Sequence, residues 1–259
     1  SAVAAAVSTT TLAAEPVFSG TAGLNYTFGE AADNAYGSEG EVNIIGDTGL
    51  VYFDLDMSGG QFILDEAYVK TGAVSFGDFD GSLIDSAVQY SGVEEEADVS
   101  TDLGITLGLR YAVDDNTTVA LEAVEGTDEL VLAGAISIPV GAGSIDLSGG
   151  FADTEETTAV GTIGFGLSIS DAVSFGAYYQ AGEANGVDLA NYGLGVDVAM
   201  SEAFTLAVAY YDDAESDADD ATVETTLQYT DGDIRYYVTY LMVDADDANW
   251  GYAGVEASF

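Results

Sequence analysis

The feature that most constrains this chain is an alternation of apolar with small or polar residues, which runs from Val17 to Phe259. It comes in units of roughly ten residues, separated by segments rich in Gly, Asp, Asn and Ser. Successive side chains of a β-strand point to opposite faces, so a period of two predicts strands with one apolar and one polar face. We count about 16 such strands. Because no shift in composition interrupts them, we expect residues 15–259 to form one domain.

The connections between the units alternate between tight turns and longer, acidic loops. Asp47-Thr48-Gly49 and Asp231-Gly232 are two of the tight turns. Successive connections of antiparallel strands lie at opposite ends, so the short turns gather at one end and the long loops at the other. This arrangement is typical of transmembrane β-barrels. An even number of strands places both termini at the short-turn end, where the first and last strands can pair and leave no open edge.

The alternation also predicts which residues face outward. Over 102–113 we expect Leu103, Ile105, Leu107 and Leu109 to face lipid and Gly104, Thr106, Gly108 and Arg110 to face inward. Over 158–169 the outward set is Ile163, Phe165, Leu167 and Ile169, and the inward set is Thr162, Gly164, Gly166 and Ser168. Inward faces of small, uncharged residues favour a roomy aqueous interior over the dry core of a soluble sandwich.

The charge balance limits the partners of the chain. It has 46 acidic and 3 basic residues, a net charge of −43, yet 48% of its residues are hydrophobic. Such a chain is too apolar for a disordered acidic tail, and it repels nucleic acid while attracting cations. An acid-rich soluble β-protein is an alternative at this point.

We do not expect an enzyme. The chain contains no Cys and no His, which excludes thiolate and imidazole chemistry. Pairs of carboxylates such as Asp54 and Asp56 could act as acid and base, but acids are so frequent here that chance pairs are expected.

The first 14 residues, SAVAAAVSTTTLAA, are apolar and small. They are similar to the apolar region and cleavage site of a secretory signal peptide, and an ordered N-terminal extension is the other interpretation. No run of 18 apolar residues occurs, so the sequence predicts no transmembrane helix.

Two segments carry a family resemblance. Residues 251–259, GYAGVEASF, alternate up to a terminal Phe259 and resemble the closing strand of outer-membrane barrels. Residues 66–81, EAYVKTGAVSFGDFDG, resemble the segment of general diffusion porins, particularly the alphaproteobacterial Rhodobacter type, that leads into the constriction loop. The resemblance extends loosely over residues 15–259.

The resemblance implies a bacterial outer-membrane protein, embedded in lipid as a homotrimer, that lets small hydrophilic solutes and ions diffuse passively. It also implies a 16-stranded barrel, a third long loop that folds inward, and a field between basic wall residues and acidic loop residues. For the Rhodobacter type it further implies Ca²⁺ bound near that loop.

The longest connection, roughly 80–101, mixes apolar residues with acids. Apolar loop residues need a surface to pack on, which favours an inward fold over a solvated loop. Basic residues facing lipid would cost about 2–4 kcal/mol each, so we expect them inside. The predicted constriction residues are Lys70 and Arg110 on the wall, and Asp80, Asp85, Glu94, Glu95, Glu96 and Asp98 on the loop. Arg235 is expected inside, near the short-turn mouth.

Acidic loop residues are also candidate Ca²⁺ ligands, because hard cations take several carboxylate and carbonyl oxygens. We expect Asp78, Asp80, Glu94 and Glu96 as ligands, with a metal-free, solvated loop as the alternative. The excess of acids predicts a preference for cations. A structural or adhesin barrel with a plugged interior is the alternative to a channel.

Overall fold

The structure is a computed structural model that describes residues 16–30, 34–58, 61–90, 105–124, 128–152, 158–184, 186–215, 221–244 and 248–259. These residues contain 16 β-strands, and the predicted number of strands is confirmed. The strands are β1 (Val17–Gly29), β2 (Ala35–Asp47), β3 (Val51–Ser58), β4 (Gln61–Thr71), β5 (Val74–Asp78), β6 (Leu107–Ala112), β7 (Thr117–Ala123), β8 (Leu130–Val140), β9 (Gly143–Ala152), β10 (Thr158–Ser170), β11 (Val173–Ala184), β12 (Val187–Ala199), β13 (Phe204–Asp213), β14 (Thr222–Asp231), β15 (Ile234–Val243) and β16 (Trp250–Ser258).

The strands form one closed antiparallel barrel in which each pairs with its neighbours in sequence and β1 pairs with β16. Closure extends to the last residue. The Phe259 N–H donates to the Gly20 carbonyl at 3.0 Å, and the Gly20 N–H donates to the Phe259 carbonyl at 3.1 Å. The Phe259 ring lies against Gly20, where an added Cβ would be 2.6 Å from a ring carbon. The predicted closure of the barrel by the terminal strand is therefore confirmed.

The tight turns gather at one end of the barrel, as the sequence predicts. In the β4–β5 and β14–β15 turns, Gly72 and Gly232 have φ near +61°, a conformation that glycine adopts without steric cost. In the β6–β7 turn the Asn116 N–H donates to the Asp114 carboxylate at 2.9 Å. This bond, together with one from the Thr117 side chain, holds the pKa of Asp114 below its usual range. Local side-chain bonds thus fix the turns that set the register of the strands.

Large apolar side chains cover the outside of the barrel. On β15, Ile234, Tyr236, Val238, Tyr240 and Met242 are exposed. The intervening Tyr237, Thr239 and Leu241 are buried inside. Similar exposed apolar residues recur on other strands, among them Leu109, Leu132, Ile163, Phe204 and Val208. An apolar belt of this extent is far larger than soluble monomers expose, which argues against the acidic soluble β-protein. Within the described ranges, no helix has the length and apolar character needed to cross a bilayer.

β6 is shorter than the sequence predicts. It covers only Leu107–Ala112 of the predicted 102–113. Ile105, which we expected to face lipid, is 3% exposed and packs inside against Leu83 and Ile84. The reason is that the chain still belongs to the preceding loop at Ile105, so strand alternation does not apply there.

The closure can be tested with a disulfide. Because Gly20 and Phe259 exchange both hydrogen bonds, Thr21 and Ser258 are the next, non-hydrogen-bonded pair, with Cα atoms about 4.5 Å apart. That spacing suits a disulfide, and the chain contains no other cysteine. We expect Thr21→Cys with Ser258→Cys to form an intramolecular disulfide on mild oxidation, seen as a reductant-sensitive shift in gel mobility. Thr21→Cys with Ala257→Cys is the control, because these side chains face opposite sides of the wall. Equal cross-linking in both variants would contradict the register.

Candidate functional site

After β5 the chain enters the barrel, and we call residues 79–90 the interior loop. Phe79, Leu83, Ile84 and Ala87 are all buried, and Ile84 is 0% exposed. Leu83 and Ile84 pack against a patch of inward-facing aliphatic residues on β7 to β11, made up of Ala120, Val131, Ala133, Ala152, Val160 and Ala184. The predicted inward fold of the loop is therefore confirmed for residues 79–90. Glu94, Glu95, Glu96 and Asp98 lie outside the described residues.

Polar side chains of the wall satisfy the backbone of the interior loop. The Ser148 hydroxyl donates to the Ile84 carbonyl at 2.6 Å and accepts from the Ala87 N–H at 3.1 Å. In addition, the Gln89 side-chain amide donates to the Asp146 carboxylate at 3.0 Å. These hydrogen bonds replace the hydrogen bonds to water that the loop loses when it is buried. A buried polar group left without a partner would cost about 1–3 kcal/mol.

Glycines make room for the interior loop along the wall. We call Gly150, Gly164, Gly176 and Gly193, on β9 to β12, the glycine track. An added Cβ at Gly150 would be 2.6 Å from the Ile84 side chain, and one at Gly176 would be 2.8 Å from the Gln89 carbonyl. At Gly164 an added Cβ would overlap the Ala87 carbonyl, and at Gly193 the Tyr90 hydroxyl. Small inward residues predicted a roomy aqueous interior, and this prediction is wrong along the glycine track, because the loop occupies that space.

A buried carboxylate holds the start of the interior loop. Glu122 on β7 is 1% exposed. Its two oxygens accept hydrogen bonds from the Leu83 N–H at 2.9 Å and from the Ser82 hydroxyl. The Ser82 hydroxyl oxygen also accepts from the Ile84 N–H at 3.1 Å. One wall carboxylate thus organises three consecutive loop residues.

Arg110 on β6 belongs to the same group of contacts. Its guanidinium lies 3.5 Å from the Glu122 carboxylate and donates to the Gly81 carbonyl at 2.5 Å. The guanidinium carbon also stands 4.0 Å from the centroid of the Phe79 ring. Arg110 therefore contacts a charge, a carbonyl and a ring at once, and the last two belong to the start of the loop.

All three basic residues of the chain have carboxylate partners. The Lys70 ammonium is 2.8 Å from Asp47, and the Arg235 guanidinium is 3.5 Å from Glu256. The β4–β5–β6 register aligns Lys70 and Arg110 through Ser75, so both lie on the same face of the wall. Arg235 is the second residue of β15, beside the short β14–β15 turn. Their roles at the constriction stay predictions.

Acidic residues occupy the inward face of the wall formed by β2, β3 and β4. We call Glu41, Asp54, Asp56 and Glu66 the acidic wall. Asp54 is paired with Glu66, and Asp56 is paired with Asn43, two residues from Glu41. Asp54 and Asp56 each keep one buried carboxylate oxygen that has no hydrogen-bond partner among the described residues.

Two tyrosines and the start of the interior loop adjoin the acidic wall. Tyr52 and Tyr68 stack with ring centroids 4.9 Å apart, and Tyr68 contacts Phe79 at 4.6 Å. The Glu66 carboxylate accepts from the Asp80 N–H at 2.9 Å. The sequence predicts Asp54 and Asp56 on the inward face, as a pair explained by the frequency of acids, but Glu41, Glu66 and Glu122 were not predicted there. Strand parity was the signal that could have placed them on the inner wall.

The described residues give no support to a metal site. No group of three or more carboxylates, His or Cys within the described ranges is close enough to hold a metal ion. Asp78 has one buried oxygen without a hydrogen-bond partner there, and Asp80 is exposed. Asp85 lies in the interior loop, where its carbonyl accepts from the Val88 N–H at 3.0 Å. Since Glu94 and Glu96 fall outside the described ranges, Ca²⁺ binding stays a prediction.

The interior is open at the short-turn end. A cavity of about 600 Å³ lies against the inner wall of β10 to β13. Its polar lining consists of Ser168, Ser170, Asp171, Ser174, Asp197 and Thr205. A cavity with polar walls therefore reaches into the barrel from this end.

Comparison with known proteins identifies the fold. No protein-family model matches the sequence, and no curated protein matches it. Among solved structures, OmpT, an outer membrane protein of Vibrio cholerae in its trimer form, is similar with a TM-score of 0.64 and 15% identity, over 94% of this chain and 99% of that chain. A triple mutant of the Rhodopseudomonas blastica porin is similar with a TM-score of 0.62 and 15% identity, over 94% of this chain and 100% of that chain. The outer membrane channel DcaP of Acinetobacter baumannii is similar with a TM-score of 0.57 and 13% identity, over 94% and 97%. The chain has the fold of 16-stranded porins.

The glycine track can be tested by adding single methyl groups. Gly164→Ala places a Cβ on the Ala87 carbonyl, so the interior loop must move, and we expect a loss of about 1–3 kcal/mol in unfolding free energy. Gly161→Ala is the matched control on the same strand, because a Cβ there meets nothing within 4 Å. We expect it to change the unfolding free energy by less than about 0.5 kcal/mol. Urea unfolding in lipid vesicles, followed by fluorescence and gel mobility, measures both. Equal stability of the two variants would contradict the proposed packing.

Proposed function

We propose that this chain is a bacterial outer-membrane porin that lets small hydrophilic solutes and ions diffuse passively, with a preference for cations. The observation that carries the proposal is a closed barrel with an apolar outer belt, whose polar interior is narrowed by a loop fixed to one side of the wall. A soluble protein would bury such a belt, whereas a bilayer solvates it. The similar solved structures, described as porins and an outer membrane channel, support the same function.

The described part of the interior loop lies against one side of the wall. From Ile84 onward its contacts with the wall lie on β7 to β12, through the glycine track, Ser148 and Asp146. The β2–β4 side meets the loop at Glu66 and Tyr68, close to where the loop begins. The proposed passage therefore runs between the interior loop and the acidic wall, and this favours a channel over a plugged structural barrel.

Charge in this passage supports a preference for cations. Each of the three basic residues is within 4 Å of a carboxylate, so their fields are largely cancelled a short distance away. No basic residue is left to balance the acidic wall. A unit pair at 4 Å interacts by about 1 kcal/mol in water and about 4 kcal/mol at an effective dielectric constant of 20. Screening, with a length of about 8 Å at physiological salt, confines the effect to acids that line the passage.

A homotrimer is part of the proposal. Ala22, Ala253 and Ala257 occupy outward positions on β1 and β16, and small side chains there allow close contact between subunits. The similar Vibrio cholerae protein is described in a trimer form.

Cation preference can be measured as a reversal potential in a salt gradient across a planar bilayer. We expect the unmodified protein to prefer cations, and we expect Asp54→Asn with Asp56→Asn to lower the cation-to-anion permeability ratio by about two- to threefold. Glu202→Gln with Asp231→Asn removes the same charge from exposed turns and is the matched control. It should change the ratio little, because those charges are screened. Anion preference of the unmodified protein, or an equal effect of both double variants, would contradict the proposed role of the acidic wall.

A further inference from the structure

Passive diffusion does not by itself explain why Glu122 is buried. A carboxylate that is 1% exposed on the inner wall of an aqueous barrel has lost its hydration, and such a group is retained only where other contacts replace water. Glu122 has three of them: the Ser82 hydroxyl, the Leu83 N–H and the Arg110 guanidinium. Two of the three belong to the interior loop.

Arg110 completes a brace from the neighbouring strand. Glu122 is opposite Gly108 in the β6–β7 register and Arg110 is opposite Ala120, so Glu122 and Arg110 are diagonal neighbours on the inner face. Together the two side chains contact residues 79, 81, 82 and 83 of the loop. We call Glu122, Arg110 and Ser82 the root brace. Four of the first five loop residues are thus fixed before the chain reaches the glycine track.

The same contacts limit the influence of the Arg110 charge on passing ions. The Arg110 side chain is 20% exposed, and Glu122 lies 3.5 Å from its guanidinium. A cation paired at this distance acts on a distant ion mainly as a dipole, whose field falls off faster than that of a lone charge. The ion pairs of the three basic residues are with Asp47, Glu122 and Glu256, none of which belongs to the acidic wall.

We propose that Glu122 and Arg110 are positioning residues that fix the start of the interior loop and thereby the open cross-section, whereas the acidic wall determines ion selectivity. This inference rests on the proposed porin function. It separates two properties, steadiness of the current and selectivity, that depend on different carboxylates of one inner wall.

Two variants weaken the root brace in different ways. Glu122→Gln keeps the shape of the side chain but removes the charge that pairs with Arg110 and replaces one acceptor oxygen by an amide donor. Ser82→Ala removes one donor from the loop and leaves every charge in place. We expect each variant to raise the fraction of time that the channel spends away from its main conductance level about tenfold. The reason is that the loss of one buried hydrogen bond shifts the equilibrium between loop positions by that order. Asp54→Asn is the control, because Asp54 lies on β3 and no described hydrogen bond links it to the loop.

Single-channel recordings with reversal potentials separate the two roles. Ser82→Ala should make the current unsteady without changing the reversal potential. Asp54→Asn should leave the current steady and shift the reversal potential toward anions. If Glu122→Gln instead gives a steady current with a reversal potential shifted toward anions, Arg110 acts as an exposed eyelet charge and the proposal is overturned. Steady currents in both brace variants would overturn it as well.

A labelling experiment tests the brace without any assumption about conductance. Leu83 is 8% exposed, and Leu83→Cys supplies the single thiol of the chain. In detergent-solubilised protein, Glu122→Gln should raise the rate of maleimide labelling at this site about tenfold, while Asp54→Asn should leave it unchanged. An unchanged rate in Glu122→Gln would overturn the positioning role. If the unmodified protein does not conduct but labelling responds as expected, the porin function fails and the brace stands.

Discussion

The backbone of a strand whose outer face is apolar must find all of its hydrogen-bond partners within the wall, because hydrocarbon offers none. An open sheet cannot meet this requirement at its edges, and a closed barrel can. Here the requirement is met up to the last residue, where Gly20 and Phe259 exchange both of their hydrogen bonds. Because the backbone hydrogen bonds are used within the wall, the inward side chains determine the shape of the interior. The interior loop, the glycine track and the acidic wall all depend on the fixed register that closure imposes.

A loop inside a barrel has N–H groups that need acceptors, and in this chain wall carboxylates supply some of them beside hydroxyl and carbonyl oxygens. Glu66, Glu122 and Asp146, on three separate strands, accept hydrogen bonds from the Asp80 backbone N–H, the Leu83 backbone N–H and the Gln89 side-chain amide. A carboxylate accepts several hydrogen bonds at once and binds N–H groups more strongly than a neutral acceptor does. In a chain with 46 acids and 3 bases, carboxylates thus supply structure that other proteins obtain from a more balanced set of residues.

The strands, their order and their inward faces could be predicted from sequence because they depend on local alternation and on turn residues such as Asp47 and Gly72. The inward fold of the loop was also predictable, since Leu83 and Ile84 need a surface to pack on. The outward assignment of Ile105 failed because a period of two cannot show where a strand begins within an apolar run. The glycine track and the role of Glu122 were not predictable, since they depend on contacts between residues about 40 to 100 positions apart, whose approach is fixed only by the closed register.

The number of charges alone is a poor guide to ion selectivity in such a barrel, because acids with the same formal charge differ in how far neighbouring groups balance that charge. Glu122 accepts two hydrogen bonds and faces Arg110, so its charge is largely balanced where it stands. Asp54 and Asp56 each retain a carboxylate oxygen without a described hydrogen-bond partner, and no cation balances them. Acids in exposed turns stand in water, where screening over about 8 Å weakens their field. The field felt by a permeating ion should therefore arise from a few unbalanced carboxylates on one side of the interior, however large the net charge of the chain.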